Sequence, residues 1–307
     1  MKHKTFPKNV LIIYKKSTYE IYFSKNAIIK SKSTLKKPKG GLKAFENSHH
    51  FHYKTLQHVQ AILDARNIRY CSADRRRKMD YAPYDLIITV GGDGTLLSAA
   101  GCVSKQKVLG VNSNPSVSVG RFCSANITNF EAIFDAILKN NYAICSLNRI
   151  NLVLNGKATD LYVLNDILIC HANPAAMSHY ILELNGDKEA QRSSGIWIAT
   201  QAGSTGAVQS AWGKPIDIDA NQIVFKAREL YRGKKIVYKH EGAILDGDVG
   251  FRIHSTMENG MLYVDGSRVQ LPFCHGDIAA LKNSKIPLKL IDFEGHLAAA
   301  HLKTTPL

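Results

Sequence analysis

The chain has 307 residues, 45% of them apolar and 21% charged, with 40 Lys plus Arg against 25 Asp plus Glu and a formal net charge of +15. That profile fits a globular chain long enough for one large or two ordinary domains, and it excludes a disordered or collagen-like polypeptide. The charge is uneven: residues 1–80 carry 19 basic and 5 acidic side chains, the rest 21 and 20, which points either to polyanionic partners or to a solvated basic face.

In chain order, Met1–Lys8 is basic but lacks the apolar core of a signal peptide, so no targeting segment is read there. Asn9–Tyr14 has the pattern of a buried strand. Residues 24–43 carry seven lysines and no acid, broken by Pro38, Gly40 and Gly41, and read as a surface loop. Tyr53–Arg66 sets Leu56, Val59, Ile62 and Leu63 on one helical face. Short strands are expected at Ile68–Ser72 and Asp85–Val90, with the basic run Arg75–Lys78 between them. A helix at Leu96–Val103, a strand at Val108–Val111 and a helix at Phe130–Leu138 follow. This alternation argues for a parallel α/β sheet. Beyond Tyr142 short strands recur at Ile150–Leu154, Ile167–Cys170, Tyr180–Leu184, Ile196–Ala199, Ile223–Phe225, Gly250–His254 and Met261–Val264, with no long helix. The expected fold is therefore an α/β N-terminal domain with a parallel sheet plus a C-terminal all-β, sandwich-like domain, with the boundary near residue 143. No apolar run is long enough to cross a bilayer, so no membrane partner is expected. The six cysteines form no Cys-x-x-Cys pair, and reduced thiols in a cytoplasmic setting are expected.

Three motifs can carry chemistry. Gly91-Gly92-Asp93-Gly94-Thr95 lies between an apolar strand and a helix. Its glycines let main-chain N–H groups approach a phosphate, and the helix start adds positive potential. Asp93 is an anion, so it must act on a hydroxyl, a metal ion or an amide, or else serve as a plain N-cap. Gly203-Ser204-Thr205-Gly206 can hydrogen-bond phosphate or ribose oxygens, or form an ordinary turn. Leu164-Asn165-Asp166 sets an amide beside a carboxylate, suited to ribose hydroxyls or to an Asx turn.

GGDGT, then VLGVNSNPSVSVG (Val108–Gly120), LNDILI (Leu164–Ile169), SSGIWIATQAGSTGA (Ser193–Ala207) and LYVDG (Leu262–Gly266), in this order, resemble the NAD kinase family, and its mitochondrial-type branch with bacterial relatives in particular. The resemblance implies an α/β domain over 1–143, a β-rich NAD-binding domain over 144–279, a tail of about 280–307 returning to the first domain, and an active site in the cleft between them. It implies transfer of the γ-phosphoryl of ATP, with Mg²⁺ carried on the triphosphate, to the 2′-hydroxyl of the adenosine ribose of NAD or NADH. It assigns Asp93 as general base. Gly91, Gly92, Gly94 and Thr95 would shape the phosphate loop, Asn112 would face the same cleft, and Asn165 and Asp166 would hold the adenosine. Ser194, Thr200, Gly203, Ser204 and Thr205 complete the implied NAD and ATP contacts, with no protein-built metal site. The partners implied are NAD and ATP in a homodimer or homotetramer, without nucleic acid.

Three positions depart from the family pattern: Asp166 where Glu is usual, Ser194 where many members have Asp, and Ala207 where a tyrosine is common. A lipid kinase sharing GGDGT is the alternative, opposed by GVNSNP after the second motif strand; a non-catalytic nucleotide sensor is another. His49, His50 and His52 read as a surface or helix-entry cluster, Trp197 as core, and Trp212 as a residue that could border a nucleotide. Part of the basic excess, including Lys36, Lys37 and Lys39, is expected to draw anionic nucleotides.

Overall fold

The computed structural model describes residues 6–23, 42–212, 215–247, 249–267, 269–293 and 295–297. They fall into two compact units: the first lies within Met1–Ala99, Lys105–Cys145 and Lys289–Ala300, and the second mainly within Ala100–Ser104 and Ser146–Leu288. Lys36, Lys37 and Lys39, with most of the lysine-rich stretch, lie outside the described residues.

The first unit is built on a sheet in the order β2-β1-β3-β4-β19-β6, from β1 (Asn9–Tyr14), β2 (Arg69–Asp74), β3 (Leu86–Gly91), β4 (Lys107–Asn112), β6 (Ala143–Leu147) and β19 (Leu288–Asp292). A two-residue strand, β5 (Ala125–Asn126), pairs with β4. Strands β1 and β3 are buried throughout their middles, and apolar there but for Thr89, because both faces are covered, as expected of parallel sheets. Helices α1 (Thr18–Tyr22), α2 (Leu42–Ala65), α3 (Asp93–Ala100) and α4 (Phe130–Leu138) make up the helical part. Leu56, Val59, Ile62 and Leu63 of α2 and Phe130, Ile133, Phe134 and Ile137 of α4 pack against Val10, Ile12, Ile88 and Leu109. Helix α2 starts well before the expected Tyr53, since residues 42–52 have few apolar side chains to betray a helical period. It ends where Asn67 turns left-handed (φ 53°) and Ile68 N–H donates to Leu63 O at 2.9 Å. Arg66 ties it to α4, with Nε 2.5 Å from Asp135 Oδ1 and Nη2 3.0 Å from Glu131 Oε1.

The parallel registers Tyr14↔Asp74, Tyr14↔Val90 and Gly91↔Asn112 align the carboxyl ends of β1 to β4. The chain leaves β1 towards β2 and leaves β3 towards β4, so these connections depart in opposite directions and open a crevice between β1 and β3. Open parallel sheets bind ligands at such a point. The GGDGT segment fills one side of it.

The second unit is a sandwich of two six-stranded antiparallel sheets, ordered β11-β10-β15-β18-β7-β8 and β14-β13-β12-β9-β16-β17. The first comprises β7 (Ile150–Leu154), β8 (Lys157–Val163), β10 (Ser178–Leu184), β11 (Asp187–Ser193), β15 (Phe251–Ser255) and β18 (Ile278–Asn283). The second comprises β9 (Asp166–His171), β12 (Ile196–Thr200), β13 (Gln222–Ala227), β14 (Gly242–Asp246), β16 (Gly260–Val264) and β17 (Val269–Pro272). Alternate residues of the two sheets interdigitate in one core, among them Leu152, Leu182, Ile253 and Leu281 against Ile167, Ile198, Phe225 and Leu262. Asn155-Gly156 and Asn185-Gly186, all at positive φ, close the β7–β8 and β10–β11 hairpins. A short helix, α5 (Ala207–Trp212), follows β12.

Candidate active site

In the first unit, β3 runs straight into α3, and helix geometry starts at Asp93, three residues before the expected Leu96. Asp93 is no simple N-cap. Its carboxylate turns to the segment after β4, where Oδ2 accepts Arg121 N–H at 3.0 Å and Oδ1 accepts Phe122 N–H at 2.9 Å. Each carboxylate oxygen has a second lone pair, so the held carboxylate can still accept a proton. At the first two glycines of the loop the backbone leaves no room for a side chain. A Cβ on Gly91 would stand 2.1 Å from Thr95 Oγ1 and one on Gly92 2.4 Å from Ser118 Oγ. Arg75 Nη1 donates to Gly94 O at 2.9 Å, fixing the loop from the end of β2. Thr95 is buried, with its hydroxyl turned in towards Gly91.

Asn112 is also buried, and its side chain shapes the neighbouring loop: Nδ2 donates to Ser118 O at 2.9 Å while Oδ1 accepts Asn114 N–H at 3.1 Å. Gly120, at φ 62°, leaves room for that amide. Behind this loop the histidine cluster sits on α2, and His52 corrects the surface reading. It is 1% exposed, with Nδ1 2.9 Å from Ser113 Oγ, and burial next to Lys15 lowers its pKa to about 4. His50 is exposed, and His49 Nδ1 stands 2.7 Å from Ser17 Oγ.

In the second unit the other two motifs come together. Asn165 Nδ2 donates to Asp166 Oδ2 at 2.8 Å, cross-bracing amide and carboxylate. The Gly-Ser-Thr loop lies on this pair: a Cβ on Gly203 would be 1.9 Å from Asn165 O, and one on Gly206 3.1 Å from Asn165 Nδ2. Thr200 pins the junction, its hydroxyl donating to Leu164 O at 2.5 Å and accepting Gly203 N–H at 3.1 Å. Ser204 is fully buried, donating to Gln201 O at 2.7 Å and accepting Ile216 N–H at 2.9 Å, so its hydroxyl builds the loop. Thr205 is only partly buried. Ser194 stands apart, lining a cavity of about 500 Å³ with Leu168, Cys170, Trp197, Arg228 and Tyr263 on the outer face of the β9–β12–β16 sheet. Trp197 therefore belongs to that cavity and not to the sandwich core. Trp212 packs with Ala199 and Val208.

Asp265, in the LYVDG block, carries a role that the sequence reading left unassigned. Its carboxylate accepts the N–H groups of Leu164 (3.0 Å), Asn165 (2.7 Å) and Asp166 (3.1 Å) in succession. It thus holds the Asn165–Asp166 corner from below. Burial raises its pKa to about 6, against those three donors, and burial together with the Asp265 charge raises that of Asp166 to about 7. Among the described residues, no three His, Cys, Asp or Glu side chains stand together as a metal-holding group.

Comparison with known proteins bears on this arrangement. Residues 17–142 match the family model described as the ATP-NAD kinase N-terminal domain. The chain is 32% identical over 267 residues to a probable NADH kinase of Oryza sativa subsp. japonica, covering 78% of this chain and 81% of the rice protein. It is equally 32% identical over 279 residues to an NADH kinase of Arabidopsis thaliana, covering 80% and 84%. The chain belongs to the NAD kinase family. The fold agrees: an NAD kinase from Archaeoglobus fulgidus solved in complex with ATP superposes with a TM-score of 0.67 at 18% identity, covering 97% of this chain and all of that one. A yeast NADH kinase solved with NADH gives 0.64 at 16% identity, covering 95% and 86%. Within the NAD kinase family pattern, the departures fall at distinct places. Asp166 is buried beneath the Gly-Ser-Thr loop, Ser194 lines the outer cavity, and Ala207 is exposed at the first turn of α5.

Proposed function

We propose that this protein phosphorylates the 2′-hydroxyl of the adenosine ribose of NAD or NADH, using MgATP. The observation that carries the assignment of roles is the Asp93 carboxylate, fixed by two main-chain N–H groups at the mouth of the parallel sheet's crevice. A fixed carboxylate accepts the ribose hydroxyl proton as the O2′–Pγ bond forms and the bond from Pγ to the β-phosphate oxygen breaks, releasing ADP. Proton transfer of this kind contributes about 10²–10⁴-fold, and positioning with charge neutralisation supplies most of the remainder. The chain offers Asp93, already held by two amides, as the one acid of the loop. Mg²⁺ is accordingly read as part of the triphosphate substrate, where it neutralises phosphoryl oxygens. Asn165 and Asp166, braced by Asp265, hold the adenosine end of NAD.

The names of the rice and Arabidopsis relatives favour NADH as an acceptor alongside NAD. The test is formation of NADP or NADPH with stoichiometric ADP from purified protein, ATP, Mg²⁺ and either acceptor. Failure with both acceptors overturns the reading. We also read the protein as a cytoplasmic homodimer or homotetramer. The six free cysteines support a reducing compartment, and light scattering of the purified protein checks the assembly.

A further inference from the structure

We propose that His52 is a positioning residue for Asp93, acting through Ser113 to fix the loop whose main-chain N–H groups hold that carboxylate. The proposal deepens the kinase reading and rests on it for the catalytic part of Asp93.

One face of helix α2 changes its chemistry along its length. Ser48, His52, Thr55, Val59 and Ile62 recur at spacings of four and three, and so share that face. Val59 and Ile62 lie against the sheet with Val10 and Ile88, which accounts for the apolar half. The strands β1 and β2 are parallel neighbours joined through α2, so the helix runs back against them and its first half overhangs their carboxyl ends. There the polar half grips the segment that follows β4. His52 Nδ1 lies 2.9 Å from Ser113 Oγ, Thr55 Oγ1 lies 3.3 Å from Ser113 O, and Ser48 Oγ accepts from Asn114 Nδ2 at 3.1 Å. Thr55 also donates to Phe51 O at 2.9 Å, so its share of Ser113 is the weaker one and His52 makes the tighter contact.

Ser113 passes this anchorage to the glycine loop. Its main-chain N–H donates to Gly91 O at 2.8 Å, at the first residue of the GGDGT segment. Beyond it the turn closes on itself, with Ser118 N–H donating to Asn114 O at 3.0 Å and Asn112 Nδ2 to Ser118 O at 2.9 Å. Gly120, at φ 62°, then leads into Arg121 and Phe122, whose N–H groups hold the two oxygens of Asp93 at 3.0 and 2.9 Å. The glycine loop at Gly91 and the donors to Asp93 thus both depend on a segment that α2 holds at Ser113.

A histidine suits this place because it stays neutral there. Burial, reinforced by the Lys15 charge, lowers the His52 pKa to about 4, against the pull of Glu20. A neutral imidazole pairs with a hydroxyl in either sense, Nδ1 accepting from Oγ or donating to it. Both side chains are buried, so removing one leaves the other without its partner in this contact.

Four substitutions in the full-length protein test the role. His52→Phe keeps a ring without its nitrogens, and His52→Asn returns an amide close to the Nδ1 position. Ser113→Ala breaks the same contact from the loop side, and decides the matter should His52→Phe fail to fold. Ile62→Val, on the apolar half of the same face, controls for loss of helix stability alone. Measured are Tm, kcat, the KM values for NAD and ATP, and hydrogen exchange over residues 112–122 by mass spectrometry. A base displaced by about 1 Å costs up to about 10²-fold in rate, so kcat should fall at least about tenfold in His52→Phe and in Ser113→Ala. Both KM values should stay within about twofold, and residues 112–122 should exchange faster. The double variant should be no slower than the slower single one, and His52→Asn should recover part of kcat. Ile62→Val should lower Tm while kcat and exchange over 112–122 stay as in wild type. In a protein that forms NADP, wild-type kcat or wild-type exchange in His52→Phe would overturn the positioning role. An equal loss of kcat in Ile62→Val would overturn it too, by making stability the cause. Faster exchange over 112–122 in His52→Phe, in a protein that makes no NADP, would keep the brace and remove the kinase reading.

Discussion

At the scale of single residues, two carboxylates make opposed demands. Asp93 is held as an acceptor by two main-chain donors. Asp93→Asn preserves its shape but turns an NH₂ towards one of those N–H groups, leaving two donors face to face. The loop then loses about 1–3 kcal/mol, read as a lower Tm, and kcat for NADP formation falls about 10²–10⁴-fold. A lower Tm with kcat intact would assign Asp93 to the loop alone. Asp166 is governed by burial. Its carboxyl ionises near 3.8 when unfolded and near about 7 in the folded chain. Between those values the native state holds a proton that the unfolded chain has released, so stability is full below the lower value and declines as pH rises through the upper one. Asp265, raised to about 6, adds a decline of the same sign. Thermal melts from acid to neutral pH should show a steeper loss in wild type than in Asp166→Asn. Parallel curves would mean that burial does not hold the proton. Asp93 and the Asn165–Asp166 pair were legible in the sequence because their neighbours are glycines or strand residues with a strong pattern. Asp265 was not singled out, since a carboxylate that receives three successive N–H groups from a segment 100 residues earlier leaves no local spacing to read.

At the scale of elements, the close approach of the Gly-Ser-Thr loop to Asn165 makes Gly203 the most sensitive position. A methyl there would meet main-chain oxygen at 1.9 Å. Gly203→Ala should therefore displace the loop, cost about 1–3 kcal/mol of stability and raise the KM for NAD more than that for ATP. Equal effects on both would place the loop's influence elsewhere. The same element explains Ser204: a hydroxyl between glycines looks like a ligand group in sequence, yet here it is consumed in closing the turn onto Ile216. Strands with a clean apolar run, such as β1 and β7, and helix α4 have the residue limits expected from their patterns. Strands β8 and β11 carry polar, half-exposed sequences and escaped the apolar pattern. The Asn-Gly pairs at 155–156 and 185–186 are the signals that mark both as hairpin partners. Helix α3 begins early because glycine loops carry no helical period, whereas their main-chain bonds, such as Thr95 N–H to Gly92 O at 2.8 Å, already coil the chain.

For the whole molecule, the concentration of positive charge in residues 1–80 predicts that ATP turnover at subsaturating substrate falls with added salt over the range in which the screening length shrinks from about 30 Å to 8 Å. A rate indifferent to salt would leave the excess charge as a solvated surface. Neutralising Lys36, Lys37 and Lys39 tests the part of this contribution that belongs to the lysine-rich stretch. The two-layer plan, with an α/β half followed by a β half, was visible because hydrophobic periodicity changes near residue 143. The family resemblance implied a tail returning to the first unit from about residue 280, but the point at which it leaves the sandwich was not legible. Strand β18 stays with the sandwich, while β19, a few residues later, pairs in parallel with β4 through Leu290↔Val108.

That last pairing has a consequence for biosynthesis. The sandwich is an insertion within the first unit, and the near half of β4 gains its neighbour only after some 180 further residues have left the ribosome. Vectorial synthesis therefore presents β1 to β4 as a sheet with an open seam, while the inserted sandwich has all its strands available and can close first. A nascent chain halted before Leu288 should expose that seam to proteases or to chaperones. One released after Asp292 should be protected. Limited proteolysis of stalled chains of the two lengths would reveal the difference as resistance acquired late in translation, in a unit made first but completed last.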